Sequence, residues 1–521
     1  MRRLRDALCV IALVVLSASC GGSNARTARA ERAAEIARAF ETAVPYTPRQ
    51  LEETALARFL AQHTTYRAES SLIADFYARR AQQFAWFIDD SLTAQADAFR
   101  ALAGVPDSTA LHLDIGCDSC IADTELHLTA EFFRFAGRNY GGQFSRDLRE
   151  LDWFIPRAKK DIGRMLDSLA SRTADLAGYE PLHPQYTRLR GALTQLRAQE
   201  NTPWPALTLP DGRRRVDPGD SAAVLLAIRG RLQLLGDHAG SALASTSTRY
   251  DSTLVLAVQR FQRRHGLTAD GVIGAGVIRA INVTPAARLR TLLVNMERLR
   301  WLPETQPANV LVVNIPEFKL HVYEGNREVM TMPVVVGQAA TKTVIFTATL
   351  STVVLSPTWT VPMSIVRSEM LPKMRRDRNY LRRNQMDIIG GTATLPLIRQ
   401  RPGANNALGR VKFLFPNSFS IYMHDTPAKS LFAREQRAFS HGCIRLSRPR
   451  ELAEYLLRDD ASWSTTRIAE GMLSGRETPI RLTTPRPVWL VYFTAWVDAD
   501  GILNLRDDLY GHDARLAREL F

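Results

Sequence analysis

Beyond its N-terminal segment, the sequence lacks any apolar stretch long enough to span a membrane, so no membrane-spanning helix is expected in the rest of the chain. It also lacks a motif typical of nucleic-acid binding, and its arginines are spread along the chain, so no nucleic-acid partner is expected. The net charge of +14 favours a solvated basic surface or a partner that carries acidic groups. With 521 residues, 45% hydrophobic and 23% charged, the composition is that of a soluble protein with several domains.

The first twenty residues have the pattern of an export signal. Arg2, Arg3 and Arg5 precede an apolar run over residues 7–16, and small residues lead to Cys20. The run is too short to span a bilayer stably, and the order of charged, apolar and small residues is that of a signal peptide. A cysteine directly after the small residues resembles the signal of a bacterial lipoprotein. A plain signal peptide cut nearby is the alternative, and both interpretations export the protein.

We therefore predict a lipoprotein-type signal peptide over residues 1–19, lipidation at Cys20 and a tether over residues 20–48. The expected location is the periplasm, with a lipid anchor in a membrane. Gly21 follows the cysteine where aspartate would favour retention, so the outer membrane is the favoured site.

Cysteine is scarce, with five residues in the chain. Cys9 leaves with the signal and Cys20 is the lipidation site. Cys117 and Cys120 lie close together in a polar stretch, where an exported protein favours a short disulfide, with free thiols or a zinc site as alternatives. Cys443 is then left unpaired, and a lone thiol in an oxidising compartment is a liability unless it is buried or used.

Apolar periodicity and breaks divide the remaining chain. Apolar residues recur at steps of three and four in the first part, whereas β-branched runs bounded by glycine and proline follow after about residue 309. The predicted parts are a helical scaffold domain (49–205), a three-helix domain (217–285), a connecting helix (286–308), a β-rich domain (309–484) and a C-terminal segment (485–521).

An insertion over about residues 363–409 interrupts the β-rich domain. Its first half is crowded with arginine and lysine at helical spacing, and its second half has a loop-like composition with Pro402-Gly403. Such a charge run is either a solvated face or a basic lid over a site that meets acidic substrate groups.

The segment Ser440–Leu446 combines a thiol, a histidine and a glycine. Cys443 attacks a carbonyl carbon only as thiolate and needs a base, and His441 and His424 are the two candidates. In an extended strand, His441 would point to the same side as Cys443. The backbone N–H groups of Gly442 and Cys443 are natural donors to an oxyanion, so the segment predicts acyl transfer.

The residues alone leave the choice of base open. His424 lies at the end of a predicted strand, from which it can face a site in a fixed position, whereas His441 is close enough to Cys443 to line the pocket instead. Asp425 is the obvious carboxylate to orient His424, but its side chain should point to the opposite face of the strand. A backbone carbonyl is the alternative orienting group.

Two sets of sequence motifs resemble known protein families. "FQRRHGLTADGVIG" resembles the small three-helix peptidoglycan-binding domain, and "SHGCIRL" after "YMHDTP" resembles the L,D-transpeptidase catalytic domain. Further phrases such as "NMERLRWLP" and "RPGANNALGRVKFLFPNSFSIYMHDTP" are similar to the large YcbB-type members. The resemblance implies an α+β multidomain protein: a mostly β catalytic domain with a lid insertion, preceded by a helical scaffold and the peptidoglycan-binding domain.

The same resemblance implies roles for individual residues. It places the nucleophile on Cys443 and the proton donor and acceptor on His424, with His441 and Gly442 on the oxyanion side. The other residues of the implied pocket are Tyr422, Ser440 and Arg445. No cofactor and no metal are implied.

The implied reaction is a two-step acyl transfer that releases D-alanine from a tetrapeptide stem and forms a 3→3 cross-link in peptidoglycan. The implied partners are stem peptides, glycan strands and other wall synthases, and carbapenems are expected inhibitors. An L,D-carboxypeptidase or an enzyme that attaches a protein to the wall is the alternative. A peptidoglycan-binding scaffold without catalysis is the alternative from another class.

Overall fold

The computed structural model describes residues 47, 49–88, 91–103, 117–170, 182–238 and 247–521. The predicted signal peptide, the lipidation site Cys20 and most of the tether lie outside these residues. Within the described ranges, no helix has both the length and the apolar character needed to cross a membrane.

The chain divides into two compact units, one of residues 1–137 and 161–180 and one of residues 138–160 and 181–521. The described helices up to residue 197 are α1 (Ala55–Gln62), α2 (Ser70–Arg79), α3 (Ala94–Ala103), α4 (Asp118–Gly141), α5 (Ile162–Ala170) and α6 (Pro184–Arg197). Strands β1 (Phe87–Ile88) and β2 (Ser91–Leu92) pair in antiparallel orientation. Helix α6 belongs to the second unit.

The core of the first unit is aromatic and holds one buried acid. Trp86 stacks on Phe99 with ring centres 5.6 Å apart, and Phe99 meets Phe132 edge to face at 5.4 Å. The carboxylate of Glu125 accepts the backbone N–H of Trp86 and the hydroxyl of Tyr77, and burial raises its pKa to about 7. In the same unit Cys117 and Cys120 form a disulfide, which is the pairing favoured from the sequence.

A small helical domain opens the larger unit. It consists of α7 (Val224–Leu234), α8 (Ser252–Arg264) and α9 (Ala275–Asn282), with a two-stranded ribbon of β3 (Arg215–Val216) and β4 (Ile273–Gly274). Its core contains Ile228, Phe261 and Ile281, none of which has more than a trace of exposed surface. The carboxylate of Asp251 accepts the N–H of Leu254 and caps the start of α8. Helix α10 (Pro285–Trp301) follows after the cap residue Thr284.

The remaining strands are β5 (Asn309–Asn314), β6 (Lys319–Glu324), β7 (Arg327–Gly337), β8 (Phe346–Leu355), β9 (Trp359–Thr360), β10 (Met386–Gly391), β11 (Pro396–Gln400), β12 (Val411–Leu414), β13 (Met423–His424), β14 (Ala438–Ser440), β15 (Ile444–Leu446), β16 (Thr478–Val491), β17 (Ala495–Val497) and β18 (Leu503–Leu505). The helices among and after them are α11 (Met363–Ile365), α12 (Leu371–Arg376), α13 (Tyr380–Arg383), α14 (Pro449–Leu457), α15 (Thr465–Leu473) and α16 (His512–Leu520). The helical domains and the β-rich domain together give the α+β architecture that was expected from the sequence.

One nine-stranded mixed sheet dominates the β-rich domain. Its order is β14-β7-β15-β13-β12-β8-β16-β5-β6, and a further pairing of β6 with β7 makes the sheet curl back on itself. Strand β16 pairs with β8 and also runs parallel to β5. The sequence-based boundary at residue 484 falls inside β16, because that strand continues to Val491.

The insertion differs from its prediction in the second half. Its first half is helical, with one π-helical turn at Val366–Met370 between α11 and α12. The second half was expected to be a loop, but β10 and β11 form an antiparallel hairpin that pairs with β9. Val366, Met370 and Ile398 give this subdomain its own small core. The loop-like composition was misleading because two glycines end β10 and threonines lie in the turn that follows.

Candidate active site

The candidate site lies where two short parallel strands meet. In the register of β13 and β15, Met423 lies opposite Ile444 and His424 opposite Arg445. Met423 and Ile444 are fully buried in the core on one face of the sheet. Since side chains alternate along a strand, His424 and Arg445 project to the other face.

The same alternation brings Tyr422 and Cys443 to that face. The backbone N–H of Ile444 donates to the carbonyl of Tyr422 over 3.1 Å, which sets Cys443 beside Tyr422. The rings of Tyr422 and His424 lie 5.7 Å apart between centres. Thiol, phenol and imidazole therefore occupy one surface at the ends of neighbouring strands.

His424 is held in one tautomer by a backbone carbonyl. Its Nδ1 lies 2.5 Å from the carbonyl oxygen of Asp425, and since a carbonyl only accepts, Nδ1 carries the proton. Nε2 is then the unprotonated ring nitrogen. The side chain is only 5% exposed, and this burial, followed by the charge of Arg445, lowers the pKa of His424 to about 4. The resting imidazole is neutral.

The carboxylate of Asp425 has other partners, as the strand alternation predicts. It accepts the N–H of Thr426 at 2.7 Å, the N–H of Arg410 at 2.8 Å and the ammonium of Lys429 at 2.6 Å. Gly409 leaves room for it, because a Cβ there would lie 2.3 Å from the carboxylate. The alternative from the sequence, a backbone carbonyl as the orienting group, is therefore what the structure contains.

Cys443 is half-buried. Among the cysteines that the structure describes, it is the one that forms no disulfide. Its Sγ donates to the carbonyl of Ser420 over 3.8 Å. Burial raises the pKa of the Cys443 thiol, and contact with Tyr422 opposes that effect. Burial and the adjacent Cys443 together raise the pKa of the Tyr422 phenol well above its usual value, so that the hydroxyl keeps its proton.

The loop before Cys443 differs in one hydrogen bond from the expectation based on the sequence. Gly442 has φ of 110°, a left-handed conformation that disfavours any residue with a Cβ. Its N–H, expected to face an oxyanion, already donates to Ser440 Oγ at 3.1 Å, and the Ser440 hydroxyl in turn donates to the carbonyl of Cys443. For the N–H of Cys443 the described part of the chain offers no acceptor, which leaves that group available.

His441 has a partner on the insertion. Residues 441–443 form a bend rather than an extended strand, so the strand alternation on which the expected shared side of His441 and Cys443 rested does not apply here. Instead Nε2 of His441 lies 2.8 Å from Oε1 of Glu369, which belongs to the π-helical turn of the insertion. The motif histidine thus contacts the lid.

Three residues that the sequence did not single out support the bend. The hydroxyl of Thr343 donates to the carbonyl of Gly442 at 2.8 Å, and that of Thr341 donates to the carbonyl of Ser440 at 3.0 Å. The hydroxyl of Tyr510 accepts the N–H of Thr343 and donates to the carbonyl of Gly337. A hydroxyl that donates to the backbone of a distant segment leaves no periodic pattern in the sequence. The roles of these three residues therefore could not be predicted from the local sequence.

Arg445 is a cation that acts on His424 on this surface. It is half-buried, and its Nε has no hydrogen-bond partner in the described structure. Burial lowers the pKa of the Arg445 guanidinium, whereas the thiol of Cys443 raises it. Among the described residues, no group of three His, Cys, Asp or Glu side chains is placed to hold a metal ion.

Comparisons with known proteins find families that match three parts of the chain. Residues 308–488 match the YkuD family, described as L,D-transpeptidase catalytic domain. Residues 71–193 match the family described as Scaffold domain, and residues 225–281 match that described as "Putative peptidoglycan binding domain". A curated protein of Haemophilus influenzae named "Putative L,D-transpeptidase" is 35% identical over 241 residues, which is 43% of this chain and 48% of that protein. The match thus spans about half the length of the relative.

Two solved structures are also similar. An L,D-transpeptidase from Mycobacterium smegmatis is 15% identical, with 35% of this chain and 58% of that chain covered and a TM-score of 0.20. An L,D-transpeptidase from Stackebrandtia nassauensis is 15% identical, with 53% and 95% covered and a TM-score of 0.22. From its family matches, the chain carries an L,D-transpeptidase catalytic domain of the YkuD family, together with a scaffold domain and a peptidoglycan-binding domain.

Proposed function

We propose that this protein forms 3→3 cross-links in peptidoglycan, with Cys443 as nucleophile and His424 as proton donor and acceptor. The observation that carries the proposal is the shared face of β13 and β15, to which both the Cys443 thiol and an imidazole with an unprotonated Nε2 project. A thiol nucleophile and a base fixed by a third group are what acyl transfer requires.

Acylation of Cys443 is the proposed first step. The thiol turns from the carbonyl of Ser420 to Nε2 of His424 and gives up its proton as Sγ attacks the carbonyl carbon that links diaminopimelate to the terminal D-alanine of a tetrapeptide stem. The tetrahedral intermediate collapses with cleavage of the C–N bond. The imidazolium of His424 returns the proton to the leaving amine, so D-alanine departs and a thioester remains.

Two donors suit the negative charge that develops on the carbonyl oxygen. The N–H of Cys443 is available, and the hydroxyl of Tyr422 stays protonated beside the sulfur. Gly442 contributes its conformation and its lack of a Cβ, since its own N–H is engaged by Ser440. One such donor is worth roughly 2.7–4 kcal/mol of transition-state stabilisation.

Deacylation completes the proposed reaction. The side-chain amine of diaminopimelate on a second stem attacks the thioester carbonyl, and His424 accepts a proton from that amine. The C–S bond then breaks, the amide of the 3→3 cross-link forms, and the thiolate recovers its proton from His424. Water in place of the amine would give an L,D-carboxypeptidase.

The peptidoglycan-binding domain and the N-terminal pattern fit the same substrate. We propose that residues 217–285 hold the enzyme on glycan strands, and that lipidation at Cys20 anchors it to a membrane in the periplasm, with the outer membrane favoured. Other wall synthases are the proposed protein partners. Carbapenems are the proposed inhibitors, because they would acylate Cys443.

The direct test uses purified disaccharide-tetrapeptide muropeptides and mass spectrometry of the products. The wild-type protein is expected to yield 3→3 dimers and one D-alanine for each cross-link, and Cys443→Ala is expected to yield neither. Dimers from the Cys443→Ala protein would overturn the mechanism. Release of D-alanine without dimers from the wild type would assign the carboxypeptidase reaction instead.

A further inference from the structure

A second cleft of the larger unit takes no part in the chemistry described above. It has a volume of about 1100 Å³ and lies between helix α6, the end of helix α8 in the peptidoglycan-binding domain, and the hairpin of β17 and β18. Ligand sites occur preferentially where domains meet, and small-molecule pockets span roughly 300–1000 Å³. This cleft is large enough for an extended, peptide-sized ligand.

The walls of the cleft are strongly basic. Seven arginine and lysine side chains and three aspartates line it. Two of the basic groups are neutralised by carboxylates: Arg264 pairs with Asp237 at 2.7 Å, and Lys319 lies 3.3 Å from Glu317. The other five basic side chains are arginines, and none of them contacts a carboxylate of the residues that the structure describes.

The carboxylate of Asp498 on the opposite wall is already engaged. Its Oδ1 accepts the N–H groups of Asp500 and Ile502, and its Oδ2 accepts the amide of Asn504. These bonds shape the turn between β17 and β18 and remove most of this acid's capacity to bind a cationic ligand.

Two of the remaining arginines are held deep in the cleft by neutral acceptors. Arg288 is 2% exposed and donates to the carbonyls of Ala280 and Val283 and to Nε2 of His265. The guanidinium of Arg506 donates to the carbonyl of Arg264 at 2.8 Å. Carbonyls at the end of helix α9 offset the charge of Arg288 only in part, because a helix terminus carries about half an elementary charge. The floor of the cleft therefore stays positive.

Exposed guanidinium groups surround this floor. Arg188 on α6 and Arg263 on α8 are exposed, and neither guanidinium group has a hydrogen-bond or ion-pair partner among the described residues. Within the same ranges, the guanidinium of Arg260 donates to the backbone carbonyl of Asp237, at 3.2 Å, and to no other group. Planar guanidinium groups match carboxylates with paired hydrogen bonds, and such charge-assisted bonds are stronger than neutral ones.

We propose that this cleft binds the free carboxylates of peptidoglycan stem peptides, and so places a wall strand across α6, the peptidoglycan-binding domain and the β17–β18 hairpin. The proposal rests on the proposed function for the identity of the polymer. It goes beyond the family match because two of the three walls lie outside residues 225–281.

A matched pair of double variants tests the proposal in the full exported chain with Cys443→Ala, so that the peptide is not consumed. Arg188→Glu with Arg263→Glu reverses two charges inside the cleft. Arg197→Glu with Arg249→Glu reverses two exposed charges of the same unit that do not line it. Thermal unfolding of both proteins verifies that they fold.

Calorimetric titration with a soluble tetrapeptide stem gives the decisive comparison. The cleft variant is expected to bind the free-acid peptide roughly tenfold or more weakly than the control variant, and the fully amidated peptide is expected to bind weakly to both. Equal affinity of the two variants for the free-acid peptide, or equal affinity of the control variant for acid and amide, would overturn the proposal.

The two proposals fail separately. If the proposed reaction is wrong, the protein with intact Cys443 forms no 3→3 dimers, whatever the state of the cleft. If only the cleft proposal is wrong, dimers form and the two double variants bind the stem peptide alike.

Discussion

The Nδ1 atom of His424 donates to the backbone carbonyl of Asp425, its own neighbour in the chain, over 2.5 Å. This bond fixes the tautomer of the imidazole through a backbone carbonyl instead of a carboxylate. Burial, followed by the charge of Arg445, outweighs the opposing effect of Asp425 and lowers the pKa of His424 to about 4. The proposed pair of Cys443 and His424 is therefore neutral until substrate binds, and the proton moves during attack.

His424→Gln tests the role of the imidazole. Glutamine has no group that accepts and returns a proton at this step, so kcat/KM for dimer formation is expected to fall by roughly 10²–10⁴-fold. His441→Gln is the matched control and is expected to lose much less, because its ring faces Glu369. Product analysis of muropeptide reactions gives both values, and a greater loss in His441→Gln would reverse the assignment of the base.

Alkylation of Cys443 by iodoacetamide measures the resting state of the thiol. Since burial raises the thiol pKa, the thiolate fraction is small at pH 7 and increases only above the ordinary value of about 8.5. The alkylation rate is expected to rise continuously from pH 7 to pH 10. A preformed thiolate–imidazolium pair would instead give a fast rate that is constant over this range. Cys443→Ala controls for labelling elsewhere.

Gly442→Ala tests the left-handed bend. At φ of 110° an added Cβ strains the backbone by about 1–3 kcal/mol, and relief of the strain would displace the N–H of Cys443. Activity is expected to fall at least tenfold while the protein still folds. Gly212→Ala, at φ of 74° in open space, also places a Cβ in a left-handed conformation but lies outside the residues 308–488 that match the catalytic domain, and it is expected to keep full activity. Equal activity of the two variants would contradict the prediction.

Tyr510→Phe tests the support from the C-terminal segment. Loss of the hydroxyl leaves the N–H of Thr343 and the carbonyl of Gly337 buried without this partner, which costs about 1–3 kcal/mol of unfolding free energy. Because Thr343 also holds Gly442, kcat/KM is expected to fall as well. Tyr250→Phe removes a similar buried hydroxyl from the helical domain and is expected to lower stability alone. Chemical denaturation and turnover separate the two effects.

Glu369→Gln tests the contact between the lid and the motif histidine. The pair is about 40% exposed on both sides, and pairs of this kind contribute about 0–1 kcal/mol. The KM for the donor stem is expected to rise roughly two- to fivefold with little change in kcat. Asp377→Asn, whose carboxylate pairs with Arg383 inside the lid, is the control and is expected to leave KM unchanged. A change confined to kcat would exclude a role in substrate retention.

The local pattern predicted much of the fold. The β-branched runs after about residue 309 form strands, and the apolar stripes of the small helical domain form its core. The hairpin of β10 and β11 and the course of β16 past residue 484 were missed. The composition of the hairpin hid its strands, whereas the extension of β16 depends on pairing with β5, which is distant in the chain and leaves no local periodicity.

In the candidate site, too, the sequence predicted some features and only the tertiary structure revealed the others. The sequence by itself determined the chemistry available: one thiol without a pairing partner, two histidines, a glycine beside the thiol, and the words that resemble a transpeptidase. Only the tertiary structure decided that His441 faces Glu369, that Ser440 engages the N–H of Gly442, and that Thr343 and Tyr510 hold the bend. The physical reason is that residue type sets what a group can do, whereas the register of parallel strands and hydrogen bonds between distant segments set which groups meet.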